Sequence, residues 1–77
     1  MTLQELASQL HAMYHNAPDG DHVVMIHLFG IKYAREIAAA GVACKTIAIA
    51  AGINESYGTE IRKALRLAEY VDVKPSV

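Results

Sequence analysis

Two hydroxyls and three cations near the end of the chain are spaced so that they could act together on an anionic ligand. Ser56, Thr59, Arg62, Lys63 and Arg66 lie within eleven residues. A helix advances about 100° per residue, so Tyr57, Gly58, Ala64, Leu65 and Ala68 share the Ile61 side. Glu55, Ser56, Thr59, Arg62, Lys63 and Arg66 fall opposite. Hydroxyls can bond base edges or phosphates, and Arg can grip guanine bidentately. Cations further along would meet phosphates. This order suits a helix laid against duplex DNA, hydroxyl end toward the bases. Glu55 and Glu60 dilute the positive field. An ordinary solvated helix face would carry much the same residues.

Lys45 and Thr46 add to the set. They stand at the start of a short predicted helix, where a phosphate could meet side chains and free amides. Asn54 is the predicted N-cap of the cationic helix and a further contact.

The remaining constellations are weaker. His11 and His15 are an i, i+4 pair, a spacing that can ligate zinc. No H-E-x-x-H context accompanies them, and they lie beside the apolar stripe, as do solvated helix histidines. Cys44 near a helix N-terminus has one ingredient of a reactive thiol, but no partner residue is evident, and it reads as a packing residue. Tyr14, Tyr33, Tyr57 and Tyr70 read as core or rim. No phosphate loop, nucleophile elbow or acid pair is present. The expectation is a protein without cofactor, metal or catalysis.

The elements that must position these residues are legible in order. Thr2 and Glu5 fit the capping box. Leu3, Leu6, Ala7, Leu10, Met13 and Tyr14 follow at helical spacing. That helix should fade near His15, where Asn16-Ala17-Pro18-Asp19-Gly20 marks a turn. Asp19 or Asp21 would cap a second helix from Val23 to Ala40, apolar nearly all round and therefore buried on more than one side. Gly30 is the expected bend in it, and Gly41 the stop. A short helix then spans roughly Cys44 to Ala51. Gly52 ends it, and a last helix runs from Asn54 to Leu67 or Ala68. Tyr70 to Lys74 alternates and is β-branched, so it reads as a strand stopped by Pro75.

The stretch from Thr46 to Ile61 resembles the helix-turn-helix of bacterial and phage DNA-binding proteins. Ala48 matches the small residue of the first helix, Gly52 the turn glycine, Ile53 the apolar plug and Ile61 the later anchor of the second helix. The earlier anchor is Gly58 here. It would permit a close approach of the helices, or leave a gap for Tyr57 to fill. The resemblance covers about a quarter of the chain. It implies that the last helix is a recognition helix, with Lys45, Thr46, Asn54, Ser56, Thr59, Arg62, Lys63 and Arg66 at the DNA.

Composition bounds this reading. The 77 residues make one domain, 53% hydrophobic, with a single cysteine and a formal net charge of −1. One cysteine excludes an intrachain disulfide framework and a Cys-rich zinc site. So apolar a composition excludes a disordered tail. Residues 1–41 carry a formal −2 and residues 42–77 a formal +1, so any basic face lies in the C-terminal half. No signal peptide or membrane span is evident, and a soluble cytoplasmic protein is expected.

The expected fold is thus a mainly α, single small domain over residues 1–77. It has a C-terminal helix-turn-helix and one short terminal β-strand. The expected function is sequence-specific binding of double-stranded DNA by a small transcriptional regulator. A homodimer is expected, because an isolated strand would pair with its own copy about a two-fold axis. The alternative is a helical protein–protein interaction module, an adaptor or small subunit that has the helix-turn-helix fold without binding DNA.

Overall fold

The capping box at the start of the chain forms as its residues dictate. In the computed structural model, which describes residues 1–77, the Glu5 amide donates to Thr2 Oγ1 at 3.1 Å. The Thr2 amide donates to Glu5 Oε1 at 2.9 Å. These bonds hold the Glu5 carboxyl below its ordinary range. Helix α1 then runs Leu3–His15 and buries Leu6, Ala7 and Leu10.

Four more helices follow. They are α2 (His22–Lys32), α3 (Ala34–Ala40), α4 (Cys44–Ala50) and α5 (Gly58–Leu67), with a 3-10 turn at Glu55–Tyr57 ahead of α5. Helix α2 packs on α1 and α5, and α4 packs on the same two helices. The core where they meet centres on Phe29, Leu6, Leu10, Ile26, Ile47 and Ile61, all fully buried.

The expected second helix, Val23 to Ala40, is two helices. It breaks at Tyr33, whose φ of −107° and ψ of 20° leave the helical region, and Gly30 does not bend it. The physical reason is tertiary. Gly30 is buried against α5, where a Cβ would collide with that of Ala64. Absence of a side chain there serves packing and leaves the helix intact. Tyr33 is drawn to other neighbours. Its hydroxyl donates to Gln9 Oε1 of α1 at 3.3 Å, while its ring stays 5.4 Å from that of Phe29, one turn earlier in α2. Asp21 does occupy the N-cap position of α2 but makes no side-chain capping bond. Gly41 ends α3 in the left-handed region, as expected of a stop signal.

No β-strand is present, which corrects the expected terminal strand at Tyr70 to Lys74. The α5 terminus decides this. Tyr70 and Val71 both donate their amides to the Leu67 carbonyl, at 2.9 and 3.0 Å, so the backbone leaves α5 as further turns. The tail then folds back on α2, where Lys32 Nζ donates to the Val77 carbonyl at 2.8 Å. An alternating pattern needs a neighbouring strand to become β, and this fold supplies none.

The α4–α5 connection shows why the turn glycine is required. Gly52 has a φ of +78°. Its amide donates to the Ile49 carbonyl at 3.0 Å, and that of Ile53 donates to the Ala48 carbonyl at 3.1 Å. This pair is a Schellman motif, which satisfies the last carbonyls of α4 and turns Ile53 back onto the core. From α1, His11 Nδ1 donates to the Ala51 carbonyl at 2.9 Å. A β-branched residue at a positive φ is strained by about 1–3 kcal/mol. Gly52→Val is therefore expected to lower the melting temperature by several degrees. An unchanged melting temperature would mean that this turn tolerates a Cβ.

Candidate nucleic-acid interface

Helix α5 takes its place through three small or apolar contacts. Gly58, Ile61 and Ala64 are buried along one side. This is the side expected from the helical projection, and Tyr57, Leu65 and Ala68 are half-buried beside it. Gly58 resolves the departure from the helix-turn-helix pattern. A Cβ there would lie 2.8 Å from the Lys45 amide nitrogen and 2.9 Å from the Lys45 Cα. The missing anchor is thus a close approach of backbones between α5 and the first turn of α4. Tyr57 does not replace it but packs at the rim, with its ring 5.8 Å from that of Tyr14.

All eight residues singled out in the sequence are exposed: Lys45, Thr46, Asn54, Ser56, Thr59, Arg62, Lys63 and Arg66. Thr59, Lys63 and Arg66 recur at four- and three-residue steps on the outward side of α5. Ser56 precedes them in the 3-10 turn, whose tighter winding replaces the first α-helical turn expected after Asn54. Asn54 caps as expected, its Oδ1 accepting from the Ser56 amide at 2.9 Å. The Thr59 hydroxyl donates to the Ser56 carbonyl at 2.9 Å, which leaves its lone pairs free to accept.

The cations differ in their surroundings. Lys45 Nζ stands 3.7 Å from Glu55 Oε2, a loose pair with both partners well exposed. Lys63 Nζ donates to Glu60 Oε2 at 3.1 Å. Arg62 and Arg66 form no ion pair. Glu60 is turned aside from the outward line, because its other oxygen accepts from His27 Nε2 of α2 at 2.9 Å. Hydrogen bonds from His27 and then Lys63 hold the Glu60 carboxyl below its ordinary range, so it stays ionised. Nothing in the sequence links His27 with Glu60. They lie 33 residues apart, and no periodicity connects two helices across a core.

The apolar part of this surface is likewise not legible in the sequence. Lys63, Arg66, Leu67 and Tyr70 line a shallow groove of about 380 Å³ along the last turns of α5. Tyr70 is 81% exposed, and Leu67 and Val71 are exposed beside it. Cys44, by contrast, is buried, and burial pushes its thiol up against a smaller opposing effect of Arg62. That environment suits a packing residue more than a nucleophile.

A Gly-turned helix pair, with a buried small-residue contact and an outward polar helix, defines the helix-turn-helix class. The family description of an HTH-like domain matches residues 2–74, nearly the whole chain, and the protein belongs to that family. No curated protein and no solved structure matches it. No helix is long and apolar enough to cross a membrane.

Proposed function

We propose that this protein binds double-stranded DNA sequence-specifically, as a small transcriptional regulator. The observation that carries the reading is the outward face of α5 and the turn before it, where Ser56, Thr59, Lys63 and Arg66 are exposed while Glu60 is drawn aside to His27. In this reading α5 enters the major groove. Ser56 and Thr59, with Asn54 at the cap, meet base edges, and Arg62, Lys63 and Arg66 meet phosphates. Lys45 and Thr46 of α4 reach the neighbouring backbone. The mechanism is occupancy of a site in the cytoplasm, without catalysis or cofactor.

Retardation of a mixed-sequence duplex at low salt tests this directly. The expected result is binding that weakens steeply as salt rises, because each neutralised phosphate contributes about −0.9 to the slope of log K against log salt. Absence of retardation at low salt would overturn the proposal. It would favour the second reading, a helical protein–protein module. That reading draws on the exposed Leu67, Tyr70 and Val71 beside the cations.

A homodimer is part of the proposal, on changed grounds. Strand pairing is no longer available, and the same three apolar side chains are the surface that a second copy would cover. A two-fold pair would set two recognition helices about 34–36 Å apart on DNA. Light scattering at micromolar concentration is expected to give a dimer mass, and Tyr70→Asp with Val71→Asp a monomer. A monomeric wild-type protein would remove the dimer from the reading.

A further inference from the structure

We infer that His27 is a positioning residue for the DNA-facing surface: from α2 it holds the Glu60 carboxylate off the outward line of α5. The inference rests on the DNA-binding reading and gives it a control element outside the helix-turn-helix. Glu60 is the one acid within α5 itself. A carboxylate free to swing onto the outward side would stand among groups meant for phosphates and repel them. The bond to α2 prevents this: His27 Nε2 holds one oxygen at 2.9 Å, while Lys63 Nζ reaches in from the outward side to the other at 3.1 Å. The three side chains form a chain from α2 to the outward face. Its middle member is only 22% exposed, while Lys63 at the outer end is 66% exposed.

The arrangement has two consequences for affinity. Glu60 is kept from repelling DNA, but it also shares the charge of Lys63, which a phosphate must then win. The lowered pKa of Glu60 agrees with this geometry, since both partners stabilise its ionised form. The two arms therefore act in opposite senses. Loss of His27 should harm binding, and loss of the Glu60 charge should improve it.

Binding of a mixed-sequence duplex at low salt, with folding checked by circular dichroism, tests the clamp. Glu60→Gln should bind several-fold tighter, because Lys63 no longer has to leave a carboxylate to meet its phosphate. His27→Ala should bind several-fold weaker while remaining folded. His27→Gln keeps an N–H donor and should bind as wild type does. The decisive protein is His27→Ala combined with Glu60→Gln, expected to bind as tightly as Glu60→Gln alone. A merely structural role for His27 would weaken binding equally in both backgrounds, and that result would overturn the inference. So would a folded His27→Ala protein that binds like wild type. If wild type itself fails to bind the duplex, the DNA reading falls and the clamp with it. That outcome is distinct from a clamp failure, in which wild type still binds.

Discussion

Gly58→Ala is expected to destabilise the protein, where an exposed helical site would gain from the same change. Alanine is favoured over glycine inside a helix by about 1 kcal/mol. At Gly58 the added methyl would meet the Lys45 backbone at 2.8–2.9 Å and the Cys44 carbonyl carbon at 3.2 Å. These are main-chain atoms of a neighbouring helix, so no rotamer change relieves the contact, and α4 and α5 must move apart. Overpacking of this kind costs about 1–3 kcal/mol and sometimes more. A domain this small holds only about 3–5 kcal/mol in total. The net expectation is a loss of a large part of the stability, read by urea or thermal unfolding. DNA affinity should fall as well, because the angle between the two helices changes. Unfolding at the same or a higher midpoint would show that the helices do not meet as closely as described.

Arg62→Ala together with Arg66→Ala is expected to weaken DNA binding more than Lys45→Ala together with Lys63→Ala. All four cations are exposed, so charge counting alone gives equal effects. Their partners decide otherwise. Lys45 and Lys63 already stand against Glu55 and Glu60, at 3.7 and 3.1 Å, and must exchange a carboxylate for a phosphate. The two arginines have no acid to leave and can bind phosphate bidentately. Their joint loss should flatten the salt slope by about 1.8 and lower affinity for all sequences alike. The lysine pair should flatten it by less. Equal losses would mean that the surface ion pairs are too weak to matter, within the usual range for exposed pairs. A larger loss from the lysines would move the DNA contact toward α4 and away from the end of α5.

Several parts of the fold and site were legible because they depend on neighbours in the chain. The Thr2–Glu5 capping box spans four residues. The turn after α4 needs a glycine at positive φ followed by an apolar residue, and Gly52-Ile53 supplies both. The buried side of α5 follows from 3.6 residues per turn, which placed Gly58, Ile61 and Ala64 inward and the hydroxyls and cations outward. Asn54 capped as its side chain allows.

Other parts depend on residues far away in the chain, and local patterns do not contain them. Gly30 carries a signal for a bend or for a close contact, and only the presence of Ala64 opposite selects the contact. The break at Tyr33 falls where its hydroxyl reaches Gln9 of α1, 24 residues earlier. The tail from Tyr70 to Lys74 has the composition of a strand, but a strand exists only with a partner, and α5 ends by turning the chain back toward Lys32. The pairing of His27 with Glu60 joins helices that adjoin only in the folded state. The sequence by itself determined the helical character of the chain, the caps at Thr2 and Asn54, the helix-turn-helix turn and the outward face, since each follows from local geometry and periodicity. Only the tertiary structure decided where the long helix breaks, what the tail becomes and which charges face outward unpaired, since these turn on which distant groups meet.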